Sequence, residues 1–151
     1  MARRVSISRP GREAVDRGAL AVEFALLLPV LLTILFGILD MGTAFQKWSV
    51  TSNAAREGAR RAATSRDTGE ITSRAMGAAH ALDPARVSVT VTCSHDGAAF
   101  AACADGPSWA AGDVVRVQVA YRRTFVTPVG EFVEHGPDIT MRATSEARFE
   151  G

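Results

Sequence analysis

Gly18-Ala19-Leu20-Ala21-Val22-Glu23-Phe24 runs directly into Ala25-Leu26-Leu27-Leu28-Pro29-Val30-Leu31-Leu32-Thr33-Ile34-Leu35-Phe36-Gly37-Ile38-Leu39. From Phe24 to Leu39 no residue is charged. A helix over that stretch rises ~24 Å, short of a hydrocarbon core of ~30 Å. Starting it at Ala19 gives ~31 Å and brings Glu23 to the membrane boundary. A carboxylate there is costly unless a charged or polar group satisfies it. Pro29 removes one backbone hydrogen bond, a break that membrane helices tolerate. The segment therefore reads as a membrane span over residues 19–40, with a buried helix of a soluble protein as the alternative.

Charge sets the orientation. Ahead of Ala19 stand Arg3, Arg4, Arg9, Arg12 and Arg17 against Glu13 and Asp16, a net of +3, while the rest of the chain carries −2. Basic residues flanking an apolar run stay in the cytoplasm. The expected arrangement is a single pass in the cytoplasmic (inner) membrane. Residues 1–18 form a basic cytoplasmic leader, flexible and without helical periodicity, and residues 41–151 form an extracytoplasmic domain. In a chain of 151 residues that leaves room for one modest domain beside the anchor. The composition, 47% hydrophobic and 22% charged, fits neither a disordered chain nor a bundle of spans. A formal charge of +1 gives no basic field to attract nucleic acid.

Gly18 followed five residues later by Glu23, then Phe24 and an apolar helix, resembles the processing site of type IV pilin-like proteins. The run RGALAVEFALLLPVLLTILFGILDMG, with SNAAREGARRAA after it, is similar to the TadE-like family over about residues 17–64. These are minor pilin-like (pseudopilin) components of the tight-adherence (Flp) pilus assembly system, a cell-adhesion apparatus. The resemblance implies that a prepilin peptidase cuts between Gly18 and Ala19. The new Ala19 amine and Glu23, with Phe24 beside it, then serve assembly. It also implies partners: the peptidase, other pilin-like subunits, the membrane assembly platform and the lipid bilayer. The physics agrees, because an ammonium offsets the cost of a carboxylate at the boundary and only cleavage creates that ammonium. A carboxylate that merely snorkels to the headgroups is the plain alternative.

The helical pattern continues past Asp40, which marks the outer boundary, and Trp48 could anchor at the same interface. Ala55, Ala59, Ala62 and Ala63 then share one narrow helix face, suited to close packing on the protein's own domain or on a neighbouring subunit. Glu57 and Arg61, one turn apart, can pair along the helix. Asp67-Thr68-Gly69-Glu70 is a capping signal, and a short helix is expected from about Thr68 to Leu82, stopped by Asp83-Pro84. Val87–Thr92, Val115–Tyr121 and Ile139–Phe149 alternate apolar and polar residues as strands do. The fold class is thus α+β. A long N-terminal transmembrane helix continues into an exported domain with a short second helix and a three-stranded antiparallel sheet, in the manner of a pilin.

Cys93 and Cys103 lie in one long loop between strands, and their spacing suits no metal. In an exported domain they are expected to form a disulfide contributing roughly 2–3 kcal/mol. No catalytic motif is present, and no cofactor, metal or small-molecule substrate is expected. Ser94-His95-Asp96 resembles a triad written in a row, but adjacent residues do not converge on one proton path. His80, His95 and His135 stand apart. An enzyme tethered to the membrane has no supporting motif. A secreted or periplasmic binding domain is the alternative function, released by ordinary signal peptidase at Gly42-Thr43-Ala44. A mature chain beginning at Ala19 or at Phe45 separates the two.

Overall fold

The computed structural model describes residues 12–103, 109–127 and 138–150. Helix α1, Arg12–Ala62, holds 51 residues and is ~77 Å long. It begins six residues before Gly18, so the backbone of residues 12–17 is helical rather than part of a flexible leader. The rest of the leader lies outside the described residues. Pro10-Gly11 precedes the first turn, and beyond it Arg12-Glu13-Ala14 are good helix formers. Pro29 sits inside the helix. One turn later Thr33 Oγ1 donates back to the Pro29 carbonyl at 2.8 Å, so this hydroxyl is satisfied without water.

Helix α2 is Thr68–Ala78. Asp67 caps it, accepting from the Gly69 and Glu70 amides at 2.8 and 3.2 Å. It ends four residues before Leu82. His80 Nδ1 reaches the Gly77 carbonyl at 3.2 Å, and the Leu82 amide donates to Ala79 at 2.8 Å. This turn folds Leu82 back into the core, where it is buried. Asp83 then caps a separate 3₁₀ turn, Pro84–Arg86.

Four strands follow: β1 Val87–Ser94, β2 Ala101–Ala102, β3 Val114–Thr124 and β4 Asp138–Arg148. They form one antiparallel sheet in the order β2-β1-β3-β4. The sheet has four strands and not the three expected. The addition is the two-residue β2, which pairs Ala101 with Cys93 and Ala102 with Thr92. No alternation marks so short a strand. What defines it is the Cys93–Cys103 disulfide, whose Cα atoms stand 5.1 Å apart.

Both helices pack on one face of the sheet, α1 over β3 and β4 and α2 against β1. Along β3, Val115, Val117, Val119, Tyr121 and Arg123 point to the helices and are buried. On the open face Arg116 pairs with Glu146 at 2.7 Å and lies 3.5 Å over the Phe100 ring. The core beneath α1 is made of small residues: Ala54, Ala55, Ala59 and Ala62 are all buried. Gly58 belongs to the same face. A Cβ there would meet Val117 Cγ1 at 2.9 Å and Ala75 Cβ at 3.1 Å, so glycine is what lets α1 approach both α2 and the sheet. Trp109 closes the far end edge-on to Phe149, with ring centroids 5.9 Å apart. The Glu150 amide donates to the Ala63 carbonyl at 3.0 Å, tying the segment after β4 to the end of α1.

Candidate assembly site on the N-terminal helix

Between Gly18 and Leu39 the surface of α1 is apolar on every side. Val22, Phe24, Leu26, Leu27, Val30, Leu31 and Ile34 are each more than half exposed. A helix of a water-soluble domain turns such residues to one side. This one does not, and among the described residues none of its most apolar window is buried. It is the one helix among the described residues long and apolar enough to cross a membrane, with a mean hydropathy of 2.5 and none of that window buried. Glu23 is the only ionisable group in the stretch. It is exposed, and no hydrogen bond or ion pair satisfies it among the described residues. Ala19 stands one turn before it on the same side of the helix, close enough for their groups to meet. Gly18 has open space around its Cα, with nothing within 4 Å of where a Cβ would lie.

The apolar stretch ends at Asp40, and the structure gives this residue a part that its sequence position does not suggest. It is buried, 8% exposed, where α1 meets the end of β3. Its carboxylate accepts from the Val126 amide at 2.8 Å and from the Thr127 hydroxyl. Arg123 Nη1 donates to the Asp40 carbonyl at 3.3 Å. Arg123 Nη2, also buried, stands 3.5 Å from Asp40 Oδ1 and is held there by charge without a hydrogen bond. The guanidinium lies 5.2 Å from the Phe125 ring centre. Asp40 thus clamps the end of β3 to the helix at the point where the apolar stretch stops. No local signal marks this, since its partners lie more than 80 residues away.

Past Asp40 the helix becomes two-sided. Thr51, Ala54, Ala55, Gly58, Ala59 and Ala62 face the domain, while Met41, Phe45 and Trp48 face outward. The small-residue stripe is therefore occupied within the chain and is not available to a neighbouring subunit. Glu57 and Arg61 do not pair with each other. Glu57 bonds Arg74 and Arg61 bonds Glu70, both across to α2. Ser65 donates to the same Glu70 at 2.7 Å, and the two donors hold that carboxyl below its usual range. Phe45 and Trp48 pack on one another at 6.0 Å.

The remaining candidates do not assemble into a reactive site. Ser94 Oγ donates to the Ala98 carbonyl, and His95 Nδ1 meets Asp113 Oδ2 at 2.7 Å. Asp113 also accepts from the Ala110 amide at 2.7 Å. That bond, and secondarily His95, lower its acidity range against the opposing effect of burial. The result is a braced loop and not a proton path to Ser94. His135 lies outside the described residues. Among the described residues no cluster of histidine, cysteine or acid could hold a metal.

No curated protein and no solved structure matches the chain. The match that is found falls on α1 and leaves the sheet outside it. Residues 18–60, which carry Gly18, Glu23, Asp40 and the small-residue face, match the family model described as TadE-like protein.

Proposed function

We propose that this chain is a pilin-like structural component of a tight-adherence (Flp) pilus or a related secretion apparatus, anchored in the cytoplasmic membrane by α1. The observation that carries the reading is the stalk itself. It is a helix exposed and apolar all round, broken only by Glu23 five residues after Gly18, inside the segment that matches the TadE-like family. In water such a surface is unstable, and in lipid it is satisfied. The single carboxylate then calls for a partner. Cleavage between Gly18 and Ala19 by a prepilin peptidase creates one, an ammonium a single helical turn from Glu23. That amine can neutralise Glu23 of its own chain before assembly and of a neighbouring pilin-like subunit within it. The basic leader stays in the cytoplasm, and the sheet domain stands outside.

Cutting requires the helix to unwind at its scissile bond, since α1 runs unbroken through Gly18. Glycine makes that about 1 kcal/mol easier than alanine does. Release by ordinary signal peptidase at Ala44 fits less well. It would sever Asp40 from Arg123, Val126 and Thr127, the clamp that holds β3 to the helix.

Intact-mass analysis of the chain from a host with the cognate peptidase tests the proposal. A mature protein beginning at Ala19 supports it, whereas one beginning at Met1 or Phe45 contradicts it. Glu23→Gln then separates roles, because it keeps size and hydrogen bonding but removes the charge. Insertion and cleavage should persist while co-purification with partner subunits is lost.

A further inference from the structure

We propose that the free edge of β4, with the flank of α1 beside it, binds an extended peptide segment that carries carboxylates. The inference goes beyond the anchoring role and stands whether or not the stalk spans a membrane. Its basis is a hollow of about 310 Å³ formed by Trp48, Ser52 and Arg56 of α1 and by residues 142–145 of β4. Ala143 and Ser145 belong to the helix-facing side of β4, while Arg142 and Thr144 belong to the open side. A hollow lined by all four straddles the strand's outer edge.

The charge in the hollow is one-sided. Arg61, Arg74, Arg86, Arg116, Arg122 and Arg123 all have acidic partners. Arg56 and Arg142 have none, both are exposed, and no carboxylate lines the space they share, among the described residues. Two guanidiniums without acidic partners line one hollow, and each has the fork that holds a carboxylate through two charge-assisted hydrogen bonds. Trp48, 47% exposed, supplies an apolar wall, and Ser52 and Thr144 supply hydroxyls.

The backbone points to an extended occupant. Among the described residues β4 is an eleven-residue strand paired on one side only, in unbroken register with β3 from Asp138 to Arg148. It contains no proline and no bulge, and what guards the edge is charge, with Arg142, Glu146 and Arg148 on the open side. Its other side offers a row of main-chain donors and acceptors, the surface to which peptides add as a further strand. The opposite edge is divided between the two-residue β2 and Val87–Val91 of β1, which β2 leaves unpaired, and is therefore shorter than β4.

The test uses the full-length chain in a neutral detergent and a short labelled peptide alternating glutamate with valine. Fluorescence anisotropy reads binding, and Trp48 emission reports its place, since Trp109 is buried. The glutamate peptide should bind and shift the emission, and its lysine counterpart should not. Arg56→Gln with Arg142→Gln should weaken binding about tenfold or more, as the loss of charge-assisted hydrogen bonds requires. Arg60→Gln, one turn beyond Arg56 and outside the hollow, should leave it unchanged. N-methylating alternate amides of the peptide should weaken binding as well, because strand addition needs them. No binding of the glutamate peptide overturns the proposal, as does equal binding to the double variant or equal binding of the N-methylated peptide. Binding of oligogalacturonate in place of the peptide also overturns it and gives the hollow to an acidic saccharide.

Discussion

The two halves of α1 are both rich in apolar residues and use them in opposite ways. From Gly18 to Leu39 the side chains are large, surround the helix and, apart from the half-buried Phe36, are left exposed by the described residues. From Thr51 to Ala62 the apolar residues are small, lie on one face and are buried to within a few per cent. Size and distribution, more than hydrophobicity, separate the two. Leucine, isoleucine and phenylalanine on all sides need an apolar solvent. Alanine and glycine on one side let a backbone approach a sheet closely enough to exclude solvent. Asp40 stands at the junction and makes the change abrupt, because its bonds stop β3 at the level where the exposed apolar stretch ends.

Removing that junction should have the largest effect. Asp40→Ala leaves Arg123 buried and unpaired, a loss of about 3–5 kcal/mol. The expected outcome is a folded stalk carrying a destabilised domain. Chemical denaturation in detergent should show an early domain transition, with membrane insertion unchanged. Replacing both partners with apolar residues, Asp40→Leu with Arg123→Met, should recover most of the loss. Equal stability of Asp40→Ala and wild type would mean the two halves are not coupled here.

Reducing the Cys93–Cys103 disulfide should cost roughly 2–3 kcal/mol and release β2 without touching the stalk. Thiol alkylation with and without reductant should differ by two modifications, and hydrogen exchange should quicken at Ala101 and Ala102. Gly58→Ala should cost about 1–2 kcal/mol, the overpacking against Val117 outweighing a gain in helix propensity. Val117→Ala in the same chain should relieve part of it. At Gly37, in the stalk and with open space around it, the same substitution should be neutral or stabilising. Melting temperatures of the two variants compare the halves directly.

The smallest effect concerns acid. Asp113 titrates below its usual range when folded, because the Ala110 amide and His95 favour its charged form. The unfolded chain therefore binds the proton first as pH falls. The stabilisation is present above the ordinary aspartate pKa, about 4, and is lost as pH drops through the lower folded value. Asp113→Asn should flatten that part of the acid-unfolding curve, leaving the stalk helicity as it was.

These contrasts also show which parts of the molecule local sequence can carry. The stalk, the Asp67 cap and three strands were legible because each rests on a pattern within one segment: continuous apolarity, a side chain reaching two amides ahead, or strict alternation. What was not legible depends on contacts between segments. β2 exists because a disulfide and Cys93's backbone hold two alanines beside β1. α2 stops early because Leu82 must turn into the core. Glu57 and Arg61 each find a closer partner on α2 than in each other. Asp40 looks like a boundary acid, and only the fold brings Arg123, Val126 and Thr127 to it. In the candidate site, Gly18, Glu23 and Phe24 were legible as a spacing. The burial of the alanine face against the protein's own sheet, which denies it to other subunits, was not.

The division of α1 at Asp40 is tested most directly by a spin-label scan from Leu20 to Trp48 in lipid bilayers, comparing collisions with oxygen and with a water-soluble nickel reagent. Oxygen-dominated access is expected on every face from Phe24 to Leu39, deepest near Thr33, with a switch to nickel-accessible outward positions by Phe45. A helical period in oxygen access through Phe24–Leu39, with one face shielded from lipid and exposed to nickel, would contradict it.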